Sequence, residues 1–183
     1  EIELLSKIVD ANVGVVTNVG KAHLEGFGSF EGVIKTKSEL YEYLRTKGGS
    51  TVLLRGDDEI LSARCADLTR VTYGLPGKGY AVEGEVVACD PCLRFRWRKQ
   101  GGEWYEVATQ LIGAYNVNNA LCAVAAGVHF GVDEQEISAA LAAYQPTNNR
   151  SELVKTATNT LVVDAYNANP TSMAAALENF TLM

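Results

Sequence analysis

Residues Val13–Tyr41 read VGVVTNVGKAHLEGFGSFEGVIKTKSELY, and this stretch decides the predicted fold. The apolar residues Val13, Val15 and Val16 predict a buried strand at Asn12–Thr17. A polar, glycine-rich loop follows, which contains His23, one of the chain's 2 histidines, and a helical pattern containing Lys37 comes next. Ligands of open α/β sheets bind at the loops that leave the carboxyl ends of the strands. The stretch therefore predicts an α/β fold with a ligand site near His23 and Lys37.

Strand and helix patterns alternate on both sides of this stretch. Ahead of it, residues 1–9 have a helical pattern with Ile2, Leu4, Leu5 and Ile8 on one face. After it, the patterns predict a helix at Phe30–Arg45, a strand at Thr51–Leu54, a helix at 58–67 and a strand at Val71–Gly74. This alternation is typical of a mainly parallel sheet.

The pattern changes after Pro76. Three alternating segments predict antiparallel hairpins at Val82–Ala88, Leu93–Arg98 and Trp104–Leu111, with a turn at Gln100–Gly102. The remaining patterns predict helices at Asn116–Phe130 and Asp133–Tyr144, strands at Glu152–Lys155 and Thr160–Val163, a polar loop at Asp164–Pro170 and a helix from about Thr171. The spacing of Asp133 and Glu136 predicts a capping box at the start of its helix.

Composition and charge exclude several classes of protein. Of the 183 residues, 47% are hydrophobic and 21% are charged, which is ordinary for a globular protein. The net charge of −6 and the absence of a Lys/Arg block argue against a nucleic-acid binder. No apolar run is long enough to span a membrane, and no signal-peptide pattern opens the chain. We expect a cytoplasmic protein without membrane insertion. Both ends lie inside helical patterns, so we also expect a piece of a longer protein.

Two local patterns leave alternatives open. Cys89-Asp90-Pro91-Cys92 is a lone C-x-x-C motif, and zinc would need two further ligands at a matching spacing. Reduced thiols around a proline-containing turn are the favoured interpretation, and a metal or redox role is the alternative. Arg94, Arg96 and Arg98 share one strand face, which is either a solvated surface or a surface for an anionic ligand.

His23 and Lys37 are candidates for metal chemistry. A histidine in a loop after a buried strand suits a ligand better than one on an apolar helix face. A lysine ammonium has three donors and no acceptor, so it cannot bind a metal. Only a neutral Lys37 converted to a carbamate would supply the oxygen ligands that Mg²⁺ prefers. A solvated helix residue is the alternative for Lys37.

Polar residues later in the chain could contact a nucleotide. Asn116 and Asn119 share one face at the start of a helix, where amides can read a base edge and where Asn116 could instead be an N-cap. Arg150 suits either a phosphate contact or an exposed linker. Asp164 follows a strand, at a position suited to a ribose or metal contact or to a turn. No G-x-x-x-x-G-K-[ST] phosphate loop occurs, because Gly20-Lys21 precedes alanine and Gly77-Lys78 precedes glycine.

Motifs along most of the chain resemble those of the Mur ligases of peptidoglycan synthesis. They are Thr17–Gly20, Ala22–Ser29, Lys37–Tyr41, Gly113–Ala120 and Asp164–Pro170. Within that family the Tyr166–Pro170 run is most similar to members that add D-alanyl-D-alanine, rather than diaminopimelate or glutamate. The resemblance implies three domains in the whole protein. Residues 1–148 would be the later part of the central, P-loop-type ATP-binding domain, and residues 149–183 the start of a Rossmann-like C-terminal domain.

The resemblance also implies an activity and its cofactors. ATP and Mg²⁺ would serve an amide ligase that joins D-alanyl-D-alanine to a UDP-N-acetylmuramoyl tripeptide through an acyl phosphate. The family's phosphate loop would lie upstream of Glu1, so we expect the 183-residue chain alone to be inactive and to bind ATP weakly. The alternatives are a sibling ligase with another amino-acid substrate, or a non-catalytic nucleotide-binding module without a phosphate loop.

Roles for individual residues follow from the same resemblance. His23 and Lys37, the latter as a carbamate, would be the catalytic residues that hold Mg²⁺. The implied ATP contacts are Asn116, Asn119, Arg150 and Asp164, and the implied substrate contacts are Asn18, Tyr166, Asn167 and Asn169. Asn119 would contact adenine, Arg150 the phosphates and Asp164 the ribose. The chain departs from the family pattern at Tyr115, where histidine is usual, at Arg55, where asparagine is commoner, and at Asn149, where glycine is usual.

Overall fold

The protein is a mixed α/β structure with two separate sheets. The computed structural model describes residues 2–20, 28–147, 152–164 and 170–181, and all structural statements below refer to these residues. The first sheet has six strands in the order β1-β2-β3-β4-β5-β6, and the second is a two-stranded hairpin of β7 and β8. The predicted α/β fold class is confirmed. In the described ranges, no helix is both long enough and apolar enough to cross a membrane.

The strands occur where the sequence patterns place them, with small changes at their ends. They are β1 (Val13–Val15), β2 (Thr51–Arg55), β3 (Thr69–Gly74), β4 (Val82–Cys89), β5 (Cys92–Lys99), β6 (Tyr105–Ile112), β7 (Glu152–Lys155) and β8 (Thr160–Val163). Strands β1 to β4 pair in parallel, whereas β4, β5 and β6 pair antiparallel. The sheet therefore changes from parallel to antiparallel at β4, as the change of pattern after Pro76 predicts.

Helices cover the sheet. They are α1 (Ile2–Val9), α2 (Phe30–Arg45), α3 (Glu59–Arg64), α4 (Val117–His129), α5 (Glu134–Ala143) and α6 (Pro170–Thr181), and a 3₁₀ turn at Ala114–Asn116 precedes α4. Ser29 caps α2 by accepting a hydrogen bond from Gly32 N at 3.0 Å. Asp133 caps α5 by accepting from Gln135 N and Glu136 N, which confirms the predicted cap.

Two apolar cores fix the helices to the sheet. The first joins α2 and α3 to β2 through Tyr41, Leu44, Val52, Leu54 and Leu61. The second joins α4 and α5 to the antiparallel strands, with Phe95, Trp97, Val107, Leu121 and Val124 among its members. Alternate residues of the strands contribute to these cores, because successive side chains point to opposite faces of a sheet.

Strand β1 is less buried than its apolar sequence predicts. Gly14 and Val16 are buried, but Val15 is 38% exposed, so the prediction of a fully buried strand is wrong at this residue. The physical reason is that Gly14 faces α2, where an added Cβ would lie 2.8 Å from Leu44 Cδ1, whereas Val15 points to the opposite face. The close approach of α2 to β1 also brings Lys37 near the carboxyl end of this strand.

Candidate active site

Lys37 lies on α2, next to the carboxyl end of β1. Its Nζ donates a hydrogen bond of 2.8 Å to the backbone carbonyl oxygen of Asn18, in the loop that follows β1. Among the described residues, Lys37 has no carboxylate partner. Its side chain is half-buried, and burial lowers the pKa of the amine. The site therefore favours the neutral amine more than water does.

His23 lies outside the described residues, so its distance from Lys37 stays a prediction. Within the described ranges, no group of three His, Cys, Asp or Glu side chains is arranged to hold a metal ion. The half-buried amine of Lys37, with a neutral carbonyl as its hydrogen-bond partner, fits the chemistry of a carbamate ligand. The predicted metal ligands are one histidine and one modified lysine. This prediction therefore does not require a cluster of three His, Cys, Asp or Glu side chains.

Asn116 and Asn119 form a hydrogen-bonded pair at the start of α4. Asn116 is buried, and its Nδ2 donates to the backbone carbonyl of Ile112 at 2.8 Å. Its Oδ1 accepts a hydrogen bond of 2.9 Å from Asn119 Nδ2. Although Asn116 occupies the N-cap position, its side chain accepts no hydrogen bond from a backbone N–H of the first helical turn. The alternative of a simple N-cap is therefore wrong, because the preceding 3₁₀ turn brings the amide to Ile112 instead.

This pair fixes the orientation of the exposed Asn119 amide. A backbone carbonyl can only accept, so Asn116 must direct its Nδ2 to Ile112 and its Oδ1 to Asn119. Asn119 must then direct its Nδ2 inward, which leaves its Oδ1 and one N–H for an external group. An amide presented in this way can accept a hydrogen bond from an amino group on a base edge.

Gly113 gives the turn before α4 its shape. Its φ of 93° lies in the left-handed region, which glycine adopts without strain. An added Cβ would also lie 2.4 Å from Cε1 of the Tyr115 ring. Tyr115, one of the departures from the family pattern, thus packs over the glycine that places Asn116 at Ile112.

The carboxyl end of β2 carries a second departure from the family pattern, Arg55. Its Nε lies 3.0 Å from Asp57 Oδ1, and one of its terminal nitrogens lies 3.4 Å from Asp58 Oδ2. Asp58 is buried and caps α3 by accepting from Leu61 N at 2.9 Å. Arg55 therefore neutralises the acidic turn that begins α3.

Sequence reasoning missed the role of Glu83. This carboxylate is only 3% exposed and accepts hydrogen bonds from Arg98 Nη2 at 2.7 Å and from Gly77 N at 3.1 Å. Arg98 and the backbone amides of Gly77 and Gly79 hold the pKa of Glu83 below its usual range. The glycine-rich loop that fails to match a phosphate-loop motif thus binds an internal carboxylate through its amides. The hairpin register, which places Glu83 opposite Arg98, is the signal that could have revealed the ion pair.

The arginine-bearing face of β5 is paired with carboxylates. Arg94 lies 3.5 Å from Glu106, and Arg96 forms an ion pair with Glu85. Arg96 and Arg98 also stack on Trp104, with guanidinium carbons 4.6 and 4.5 Å from the ring centroid. Because each guanidinium already has an acidic partner, the structure favours the solvated, ion-paired surface over a surface for an anionic ligand.

The cysteine pattern supports the simpler of its two interpretations. All four cysteines lie in the described part of the chain, and none is in a disulfide. Cys89 ends β4 and Cys92 begins β5, so the motif spans the predicted turn. Burial raises the pKa of the Cys92 thiol, which favours the protonated form.

The remaining predicted contacts belong to the last part of the chain. Asp164 is exposed and directly follows β8. It lies at a cleft of about 370 Å³ between β8 and α6, lined by Thr160, Leu161, Val162, Asp164, Met173, Ala176, Leu177 and Phe180. Arg150, Tyr166, Asn167 and Asn169 lie outside the described residues. The structure thus describes Lys37, Asn116, Asn119, Asn18 and Asp164, and it brings two pairs of them into contact.

Comparison with known proteins decides the family. The family model described as "Mur ligase middle domain" matches residues 1–127. The chain belongs to the Mur ligase family. The Mur ligase family is ATP-dependent.

Individual Mur ligases align over almost the whole chain. The UDP-N-acetylmuramoyl-tripeptide–D-alanyl-D-alanine ligase of Bacillus subtilis is 31% identical over 179 residues, covering 97% of this chain and 38% of the relative. The enzyme of the same name from Mycobacterium leprae is 35% identical over 192 residues, covering 97% and 37%. A crystal structure of MurF from Acinetobacter baumannii superimposes with a TM-score of 0.87 at 28% identity, covering 100% of this chain and 40% of that one. The chain thus spans about two-fifths of the length of these Mur ligases.

Proposed function

We propose that this chain is part of an ATP-dependent ligase that joins D-alanyl-D-alanine to a UDP-N-acetylmuramoyl tripeptide in peptidoglycan precursor synthesis. Family membership and the 31–35% identity to ligases with this specificity support the assignment. The structural observation that carries it is the Lys37 amine, half-buried at the end of β1 with a neutral hydrogen-bond partner. Burial of this amine lowers its pKa and so favours the neutral form that a carbamate requires.

The proposed reaction activates the terminal carboxylate of the tripeptide. Transfer of the γ-phosphoryl group of ATP to that carboxylate gives an acyl phosphate, and the amine of D-alanyl-D-alanine attacks its carbonyl carbon. Collapse of the tetrahedral intermediate releases phosphate. Bound Mg²⁺ would neutralise charge on the phosphoryl oxygens, so the protein mainly positions the reactants.

Each residue has a proposed part in positioning. His23 and Lys37, as a carbamate, would hold the metal ion. Asn119, oriented by Asn116, would accept a hydrogen bond from the amino group of adenine. Arg150 would contact the phosphates, and Asp164, exposed after β8, would contact the ribose.

The substrate contacts and the domain division remain part of this proposal. Asn18, Tyr166, Asn167 and Asn169 would line the substrate side of the cleft between domains. Residues 1–148 would belong to the central domain and residues 149–183 to the C-terminal domain. We place the reaction in the cytoplasm, where the nucleotide-linked precursors are made.

Phosphate release by the protein encoded by the whole gene tests the function. We expect release only when ATP, Mg²⁺, the UDP-linked tripeptide and D-alanyl-D-alanine are all present. Release that continues without the dipeptide would contradict the proposal. Release with another amino acid, and none with the dipeptide, would identify a sibling ligase, and no release with any acceptor would favour a non-catalytic module.

A pair of lysine variants makes the test specific to the site. Lys37→Arg places a permanent cation where the proposed carbamate is an anion, and arginine cannot form a lysine carbamate. We expect the turnover number to fall by about 100-fold, because losing even a group that supports a metal ligand costs about 10–100-fold. Lys35→Arg is the matched control, because Lys35 lies on the same helix and is exposed. Equal turnover numbers for the two variants would show that Lys37 has no catalytic role.

A further inference from the structure

We propose that the backbone carbonyl of Asn18 is a positioning group that orients Lys37 Nζ for carbamate formation and then fixes the direction of the carbamate. This inference rests on the proposed function, in which Lys37 is a carbamate, and adds a group that determines where its oxygens lie. It also gives Asn18 a role through its backbone, distinct from the substrate contact proposed for its side chain.

The contact is direct and joins two separate elements of the fold. The nitrogen–oxygen distance is 2.8 Å, and the two residues are 19 positions apart, one in the loop after β1 and one on α2. The packing of α2 on Gly14 fixes the distance between these elements, because Leu40 and Leu44 fill the space where a Cβ would lie. Lys37 and Asn18 therefore meet because the core holds them together.

The acceptor is neutral, and this matters for the chemistry. A carboxylate partner would stabilise the ammonium form of lysine, which has no lone pair to react. Among the described residues, the partner of Lys37 is a carbonyl, which accepts a hydrogen bond from an ammonium, an amine or a carbamate alike. The contact can thus persist through each state of the side chain.

The reaction balances with carbon dioxide as the only co-reactant. The neutral amine has two N–H bonds and one lone pair. If one N–H donates to Asn18, the lone pair points away from the carbonyl and attacks the carbon of carbon dioxide, forming the N–C bond while one C=O electron pair moves to oxygen. The second nitrogen proton leaves to solvent, so the product is the carbamate anion plus one proton.

The product is more constrained than the amine. A carbamate nitrogen is planar and keeps a single N–H. When that N–H donates to Asn18, the carboxylate group must lie on the opposite side of the nitrogen, directed away from the β1 loop carbonyl. The hydrogen bond to Asn18 therefore selects one direction for the two carbamate oxygens. Without it, rotation about the side-chain bonds would leave several directions open.

Nuclear magnetic resonance of the carbamate tests this inference without relying on activity. The protein is labelled with ¹⁵N-lysine and with asparagine carrying ¹³C in its backbone carbonyl, then equilibrated with ¹³C-bicarbonate. We expect a carbamate at Lys37 whose N–H couples through the hydrogen bond to the Asn18 carbonyl carbon. We also expect this N–H to exchange with water roughly fivefold more slowly than an unbonded carbamate N–H, the factor that corresponds to about 1 kcal/mol.

Two variants distinguish a role of the Asn18 backbone carbonyl from a role of the Asn18 side chain. Asn18→Ala keeps the carbonyl, so the slow exchange should remain. Replacing Val19 by its α-hydroxy acid turns the Asn18 carbonyl into an ester carbonyl, a weaker acceptor, so the exchange should accelerate. The Val19 N–H removed by this change makes no hydrogen bond within the described residues.

The possible failures are distinguishable. A carbamate at Lys37 that lacks the coupling and exchanges equally fast in the parent and ester proteins would overturn the role of Asn18 alone. Loss of the slow exchange in Asn18→Ala but not in the ester protein would overturn it as well, in favour of the side chain. Absence of any carbamate at Lys37 under saturating bicarbonate would overturn the inference together with the proposed metal-binding role of Lys37.

Discussion

Replacing Asn116 by alanine tests whether the buried amide holds the start of α4 in place. The change removes two hydrogen bonds, of 2.8 Å to Ile112 O and 2.9 Å from Asn119 Nδ2. At about 1 kcal/mol for each bond, the free energy of unfolding should fall by about 2 kcal/mol. For a chain of this size the corresponding fall in Tm is about 4–8 °C.

The assay is urea unfolding followed by far-ultraviolet circular dichroism, with Asn118→Ala as the matched control. Asn118 is the second residue of α4, and its side chain makes no hydrogen bond within the described residues. Its replacement should change the free energy of unfolding by less than about 0.5 kcal/mol. If Asn116→Ala is as stable as Asn118→Ala, the two hydrogen bonds do not fix the helix, and the orientation argued for Asn119 loses its basis.

Three further substitutions test other parts of the structure. Tyr41→Phe should raise the free energy of unfolding by about 1 kcal/mol in urea titrations, because the Tyr41 hydroxyl is buried without a hydrogen-bond partner among the described residues; a fall would show that the hydroxyl is bonded. The ion pair with Arg98 lowers the pKa of Glu83 in the folded protein. Ionised Glu83 therefore adds to the free energy of unfolding above pH ~4, where an unperturbed glutamate titrates, and this contribution is lost as the pH falls through the lowered pKa of the folded state. Glu83→Gln should therefore flatten the acid dependence of Tm, whereas the more exposed Glu85→Gln should not. In Gly56→Ala the new Cβ would lie 2.1 Å from Tyr80 Cε1, so Tm should drop by the equivalent of about 1–3 kcal/mol, and an unchanged Tm would refute the close packing.

Much of the fold is predictable because it depends on local patterns. The helix at Phe30–Arg45 and the strands at Glu152–Lys155 and Thr160–Val163 have the predicted bounds, since periodicity and end signals agree there. The predicted strand at Asn12–Thr17 is reduced to β1 at Val13–Val15, because strand length depends on the neighbour with which it pairs. The prediction that Val15 is buried is wrong for a related reason, because an apolar residue does not specify which element packs over it.

The candidate site was predictable as a set of residues rather than as a geometry. The motifs indicate Lys37 and Asn119, but no sequence pattern states that the amine meets the Asn18 carbonyl. That contact depends on how closely α2 approaches β1. The direction of the Asn119 amide likewise follows from the backbone carbonyl of Ile112, four residues before Asn116. Both arrangements depend on a backbone carbonyl as the acceptor, and a backbone carbonyl carries no sequence signal of its own.

Trp97 on β5 and Trp104, which directly precedes β6, lie on opposite faces of the antiparallel part of the sheet, so each provides a fluorescence signal from one face. Trp97 is fully buried, stacks on Tyr105 with ring centroids 5.3 Å apart, and donates to Ser138. Trp104 contacts the guanidinium groups of Arg96 and Arg98. Salt that weakens the ion pairs should shift the emission of Trp104 while leaving the blue emission of Trp97 and its energy transfer from Tyr105 intact. Fluorescence can therefore distinguish loosening of the outer surface from opening of the core.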